Sequence, residues 1–127
     1  MSKKPIIGIL MPGDMGHGIA KVLIENNFEV WTFLKGRSER TKLLAQKAEI
    51  NDAKNLNFFL DKVELILSII PPEKAYEQAI IIANHKLKKS KKITYVDCNA
   101  ISPSSSLEMQ KLFYTKKIDF IDAGIVG

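Results

Sequence analysis

The chain has 127 residues, 46% hydrophobic and 26% charged, which is the make-up of one ordinary globular domain rather than of a disordered or fibrous polymer. Its formal charge of +5 favours anionic ligands in general, without separating a nucleotide cofactor from nucleic acid. The single cysteine, Cys98, excludes a disulfide framework within the chain and a thiolate metal cluster, and no segment reaches the roughly 20 apolar residues of a membrane span.

Met1-Ser2-Lys3-Lys4 ahead of an apolar run resembles the start of a secretory signal. The run is short, however, and breaks at Pro12-Gly13-Asp14 with no small-residue cleavage site, so it reads as a first strand and the protein as cytoplasmic. A glycine-bearing turn follows, then a helix with Met15, Ile19, Val22 and Leu23 on one face, ending at Asn26-Asn27. Strand, glycine turn and helix in that order present unpaired amides and the positive end of the helix dipole to a phosphate. Gly13 permits close approach of a pyrophosphate, and Gly16 permits close helix–strand packing. Met11 stands where the G-x-G-x-x-G pattern has its first glycine, so Met11-Pro12 must build the turn. Taken alone, the match is equally that of a plain βα turn.

Phe28 to Leu34 is the second strand, and Lys35-Gly36-Arg37-Ser38 a turn in which Ser38 caps a helix carrying Leu43, Leu44 and Ala48. A short third strand falls around Ala48 to Asn51, then a two-turn helix from Asn55 to Lys62. Val63 to Ile70 is almost wholly apolar, as a parallel strand covered on both faces must be. Pro71-Pro72 ends it and opens a helix with Ala75, Ala79, Ile82 and Ala83 inward. Lys86 to Lys92 is a basic connector; Ile93 to Asp97 is the fifth strand. Ser102-Pro103 starts a helix with Met109, Leu112 and Phe113 inward, and Ile118 to Ala123 is the sixth strand. Alternation of this kind implies right-handed crossovers, hence an α/β Rossmann fold: a doubly wound, mostly parallel six-stranded sheet with helices on both faces.

Ligands of such sheets bind at the carboxyl ends of the strands. Those ends collect Met11-Pro12-Gly13, Leu34 to Ser38, Ile70-Pro71, Asp97-Cys98-Asn99 and Asp122-Ala123-Gly124 on one rim. The second strand's end sets the cofactor. An NAD site holds an Asp or Glu there for the ribose hydroxyls, whereas Val30 to Ser38 has neither and offers Lys35, Arg37 and Ser38. A guanidinium meets a phosphate bidentately, which favours NADP over NAD; the other reading is a solvated basic turn. His17 lies close to the glycine turn, with no second histidine or acid placed to make it catalytic. Asp14 reads as a helix cap, Cys98 as a packed thiol, and Asn99 as a ligand of the nicotinamide ribose or substrate, or else as the residue that holds its loop. The lysines from Lys86 to Lys92 lack interleaved aromatics and lie at the opposite rim, so no nucleic-acid partner is expected.

Together these residues resemble the N-terminal domain of the 6-phosphogluconate/β-hydroxyacid dehydrogenase superfamily. The family's G-x-I-G-L-G-x-M-G stretch is met by Gly8 to Gly16, its Leu-Pro by Ile70-Pro71, its D-x-S-T-x-x-P by Asp97 to Pro103, and its D-A-P-V-S-G by Asp122 to Gly127. Met11 replaces a glycine, Asn99-Ala100 the Ser-Thr pair, and Val126 the serine that in the family touches the substrate carboxylate. With Gly36-Arg37-Ser38-Glu39-Arg40, the combination is similar to a branch having a distinct C-terminal domain. The resemblance implies an NADP(H)-binding domain over 1–127 that acts on a small hydroxy acid, with Met11, Pro12, Gly13, Asp14, Met15, Gly16, Lys35, Arg37, Ser38, Ile70, Pro71 and Asn99 around the cofactor. It implies Asn99, Gly124 and Val126 at the substrate. It also implies a catalytic lysine and a homodimer interface in a helical domain that this chain lacks, no metal, and no turnover by the chain alone. A reading from a different class is a non-catalytic NAD(P)-sensing module that regulates a partner.

Overall fold

A computed structural model describes residues 4–10, 14–85, 92–99, 101–116 and 118–123, the side chains of 14, 15 and 72 aside. The described elements are β1 (Ile7–Leu10), α1 (Asp14–Glu25), β2 (Val30–Thr32), α2 (Glu39–Lys47), β3 (Asn51–Asp52), α3 (Leu56–Lys62), β4 (Leu65–Ser68), α4 (Pro72–Asn84), β5 (Thr94–Asp97), α5 (Pro103–Tyr114) and β6 (Asp119–Asp122). The six strands form one sheet in the order β3-β2-β1-β4-β5-β6, with every neighbouring pair parallel. The expected doubly wound fold is present, with no antiparallel strand among those described.

Side-chain alternation along β1 divides the core. Ile7 and Ile9 face α1 and α2, where they pack with Ala20, Val30, Ala45 and Ala48. Leu10 faces the other side, with Phe59, Leu60, Ala79, Ile82, Met109 and Phe113 of α3, α4 and α5. The inward stripes read for α4 and α5 are those observed, since Ala75, Ala79, Ile82, Ala83, Met109 and Phe113 are all buried.

Three local readings need correction. The third strand starts at Asn51, not Ala48, because α2 closes in a Schellman turn: Ile50 N donates to Ala45 O (3.0 Å) and Glu49 N to Gln46 O (3.1 Å). Glu49 holds the left-handed conformation (φ 61°), a position that sequence assigns more readily to Gly or Asn. The same turn after α1 uses Asn27 (φ 67°), where a stop is legible. Val22 is 57% exposed, since α1 turns Gly16 and Ala20 inward and Val22 falls on the far side at 100° per residue. Leu43 is likewise 58% exposed, because Ala45 and Ala48 make the inner stripe of α2. Of the basic connector, residues 86–91 lie outside those described.

Gly8 carries a constraint that the sequence reading passed over. A Cβ there would lie 2.5 Å from the ring of Phe59 and 2.9 Å from Val63, and Phe59 is fully buried and braced edge-on by Phe33 at 5.1 Å. The ring has nowhere to retreat. Gly8→Ala is therefore expected to destabilise the fold by roughly 1–3 kcal/mol, as overpacking does. Urea unfolding of the two proteins measures it; equal midpoints would show that the contact yields freely.

Candidate functional site

The strand order reverses between β1 and β4: the chain moves outward from β1 to β3, returns through α3, and moves outward the other way. In open sheets of this kind the ligand crevice lies at the carboxyl ends of the strands where the order reverses. Met11, Pro12 and Gly13, expected at its floor, lie outside the described residues. Asp14, read as a cap, is the first residue inside α1. Met15 follows in the same turn of backbone. Gly16 is buried in this first turn of α1, as close packing on the sheet requires, and His17 is half-buried beside it.

On the β2 side, Leu34 to Arg37 form a tight turn. Arg37 N donates to Leu34 O at 2.9 Å, and Gly36 has φ 80°, the positive value that the third position of a type II turn demands. The turn exposes Lys35 and folds Arg37 back so that its guanidinium lies 5.1 Å from the Phe33 ring centre. Burial lowers the Arg37 pKa from its ordinary value. Its Nε–H is buried and has no acceptor among the described residues. Ser38 caps α2, with its hydroxyl accepting from Thr41 N (3.1 Å) and donating to Thr41 Oγ1 (3.0 Å). Asp52 pins the turn from below: Oδ1 accepts from Leu34 N (3.1 Å) and from Lys54 N (2.9 Å). Next to it lies a cavity of about 630 Å³ whose lining includes Lys35, Lys42, Lys54 and Asp52. Lys42 and Lys54 have acids at 3.6 and 3.5 Å, in Glu39 and Asp52.

On the opposite side, the ends of β4, β5 and β6 are held by a buried polar cluster. Ser68 and Asp97 are in register and fully buried, and Asp97 is in turn in register with Asp122. Asn99, 6% exposed, takes a hydrogen bond from Ile70 N on Oδ1 (2.8 Å) and donates from Nδ2 to Ser68 Oγ (3.3 Å). Asp97 Oδ1 accepts from Asn99 N at 2.8 Å, while Oδ2 has no partner among the described residues. Burial raises the Asp97 pKa against the hydrogen bonds from Asn99, and Asp122 raises it further. Cys98 points to the opposite face, buried with Ile69 and Val96, and burial together with Asp97 pushes its thiol up; it is a packed side chain. Pro71 is exposed at the start of α4. Gly124 and Val126 lie outside the described residues.

Residues 6–127 match the family described as the NAD binding domain of 6-phosphogluconate dehydrogenase. The chain belongs to that family. It is similar to an uncharacterised 28.5 kDa protein of Methanothermus fervidus, 29% identical over 121 residues that make up 95% of this chain and 45% of that one. Among solved structures it is similar to the conserved protein MTH1747 of unknown function, itself reported as structurally similar to 3-hydroxyacid dehydrogenases. That match has TM-score 0.76 and 25% identity, and covers 90% of this chain and 41% of the other. The fold is also that of Mycobacterium tuberculosis 3-hydroxyisobutyrate dehydrogenase, solved with L-serine (TM-score 0.79, 15% identity, 98% of this chain and 42% of that one). The chain thus spans less than half the length of these relatives. It is an NAD(P)-binding domain of the kind found in hydroxyacid dehydrogenase-like oxidoreductases. No described helix is long and apolar enough to cross a membrane.

The rim also holds residues that belong to no motif in the sequence. Ser68 is one, and its signal was present: a lone hydroxyl in an apolar strand must find a partner when buried. Asp52, Lys42 and Lys54 meet Lys35 only through the fold and leave no local pattern. Among the described residues no group of acids, cysteines and histidines could hold a metal ion.

Because folding raises the Asp97 pKa, the native state binds its proton more tightly, and this carboxyl lowers stability as pH climbs above the unfolded value near 3.8. Asp97→Asn keeps an oxygen for Asn99 N. It is expected to raise the thermal midpoint at pH 7 and to lose that advantage at acidic pH. A midpoint difference independent of pH would refute the assignment.

Proposed function

We propose that this chain is the NADP(H)-binding domain of an oxidoreductase that interconverts a small hydroxy acid and its oxidised form. Arg37 carries the choice of NADP. A buried guanidinium donor without an acceptor among the described residues is costly, and it sits at the end of β2, where Val30 to Ser38 holds no acid for ribose hydroxyls. A 2′-phosphate supplies both the charge and the acceptor it lacks. Lys35 and the lysine-lined cavity beside it add positive potential at the same end of the crevice. Ser38 stands at a helix start, where a phosphate gains from the dipole.

The remaining roles follow the crevice. Met11, Pro12, Gly13, Asp14, Met15 and Gly16 surround the diphosphate, which the backbone N–H groups of all but Pro12 can bind, and Ile70, Pro71 and Asn99 flank the nicotinamide half. Gly124 and Val126, past the sixth strand, form one wall of the substrate site, where the absence of a serine hydroxyl at Val126 alters carboxylate recognition. The nicotinamide, when bound, supplies the hydride exchange. Residues 1–127 hold and orient it, and the proton-handling lysine and the homodimer contacts belong to a helical domain beyond them.

Calorimetry with NADP and NAD tests the choice of cofactor. NADP is expected to bind more tightly, and Arg37→Ala to weaken NADP by roughly 1.5–3 kcal/mol, about ten- to a hundredfold, while leaving NAD almost unchanged. Equal binding of the two cofactors by the native chain, unaffected by the substitution, overturns it. Steady-state assays of the 127 residues with NADP and small hydroxy acids are expected to show no turnover; measurable turnover would mean that a proton-transfer group lies within them.

A further inference from the structure

The parallel ladder between β4 and β5 ends with the pair Ser68 and Asp97. Beyond it the two chains part, one through Ile69, Ile70 and Pro71 into α4, the other through Cys98 and Asn99 toward α5. Two contacts carry the pairing past that point. One belongs to the main chain, Cys98 N to Ser68 O at 3.0 Å. The other is the Asn99 side chain, which reaches back across the gap to Ile70 N and Ser68 Oγ. Its own backbone is held by Asp97 Oδ1, so the carboxamide starts from a fixed point.

We infer that Asn99 is a positioning residue: its carboxamide straps the end of β4 to the end of β5 and fixes where the segment from Ile70 into α4 stands relative to β5. That this segment flanks the nicotinamide half of the dinucleotide rests on the function proposed above.

The side-chain chemistry explains why asparagine fits here. The strap needs an acceptor for Ile70 N and a donor for Ser68 Oγ on one planar group, which a carboxamide supplies. Serine is too short to meet both across the gap. Aspartate supplies the acceptor but sets a second carboxylate near the buried Asp97 and loses the donor. The departure of this chain from the family's Ser-Thr pair therefore trades a hydroxyl for a cross-strand tie. With one oxygen lone pair taken by Ile70 N and one Nδ2 hydrogen by Ser68, the carboxamide keeps one acceptor and one donor position.

Two measurements on Asn99→Ala and on Asn99→Ser, the milder change, test this. Amide hydrogen exchange by NMR is expected to speed up at Ile70 by about tenfold, the loss of one buried hydrogen bond, while the ladder amides of β4 and β5 keep their protection. Calorimetry with NADP and with adenosine 2′,5′-bisphosphate, which lacks the nicotinamide half, is expected to show about a tenfold loss for NADP and less than about a twofold change for the bisphosphate. Ser68→Ala, which spares the Ile70 bond, is expected to leave Ile70 protected. Unchanged Ile70 exchange in a folded Asn99 variant overturns the strap. Equal losses for both ligands, or none for NADP, overturn its role in positioning the Ile70 segment for the cofactor. If the native chain binds neither nucleotide, the cofactor reading and that role fall together, and Ile70 exchange alone decides whether the strap exists.

Discussion

The contact of the Phe59 ring with the bare Cα of Gly8 fixes the geometry on which the crevice depends. α3 carries the chain from the sheet edge at β3 back to its centre, and it must lie low across β1 for β4 to pair beside it. Val63 rests on the same glycine, and immediately after it Glu64 N donates to Ile6 O at 2.9 Å. Glu64 Oε1 in turn accepts from Ile6 N at 2.9 Å, so the approach to β4 is tied to the approach to β1 before either strand begins. From that point the register Ile7 to Leu65 follows, and with it the reversal of strand order. A side chain at position 8 would lift α3 and loosen the pairing that opens the site.

The two flanks of the crevice are built by opposite means. The β2 flank is a surface of donors: a guanidinium with a spare N–H and an ammonium group from Lys35, held in a turn pinned by Asp52. It leaves positive charge uncommitted. The β4–β5 flank turns its polar groups inward, Asn99 joining Ile70 N, Ser68 Oγ and, through its own N–H, Asp97 Oδ1. One flank attracts and the other holds a shape, a division suited to a ligand with a charged end and a flat, weakly polar end.

Much of this was legible in the residues. Runs such as Val63 to Ile70 and the helical stripes of α4 and α5 repeat a period that burial enforces, so element type and order could be read directly. The basic turn after β2 was legible because the expected acid is missing from a defined place. What escaped depends on contacts distant in sequence. Gly8 is ordinary until Phe59 arrives 51 residues later, and Asn99 meets Ile70 and Ser68 across separations of 29 and 31. Glu49 shifted the third strand because a left-handed glutamate is tolerated only when the surrounding turn compensates. Val22 misled through its composition: an apolar residue next to a true inward position need not itself be inward.

The outer strands have a consequence for how copies of this molecule meet. β3 offers a stranger only two residues of unpaired main chain. β6 offers four, but it begins and ends in exposed aspartates, so antiparallel pairing of one β6 with another would bring Asp119 of each molecule against Asp122 of its neighbour. Like charges meeting at both ends of so brief a strand oppose continuation of the sheet into fibrils or ribbons. The described edges of the domain are thereby guarded against growing strand to strand.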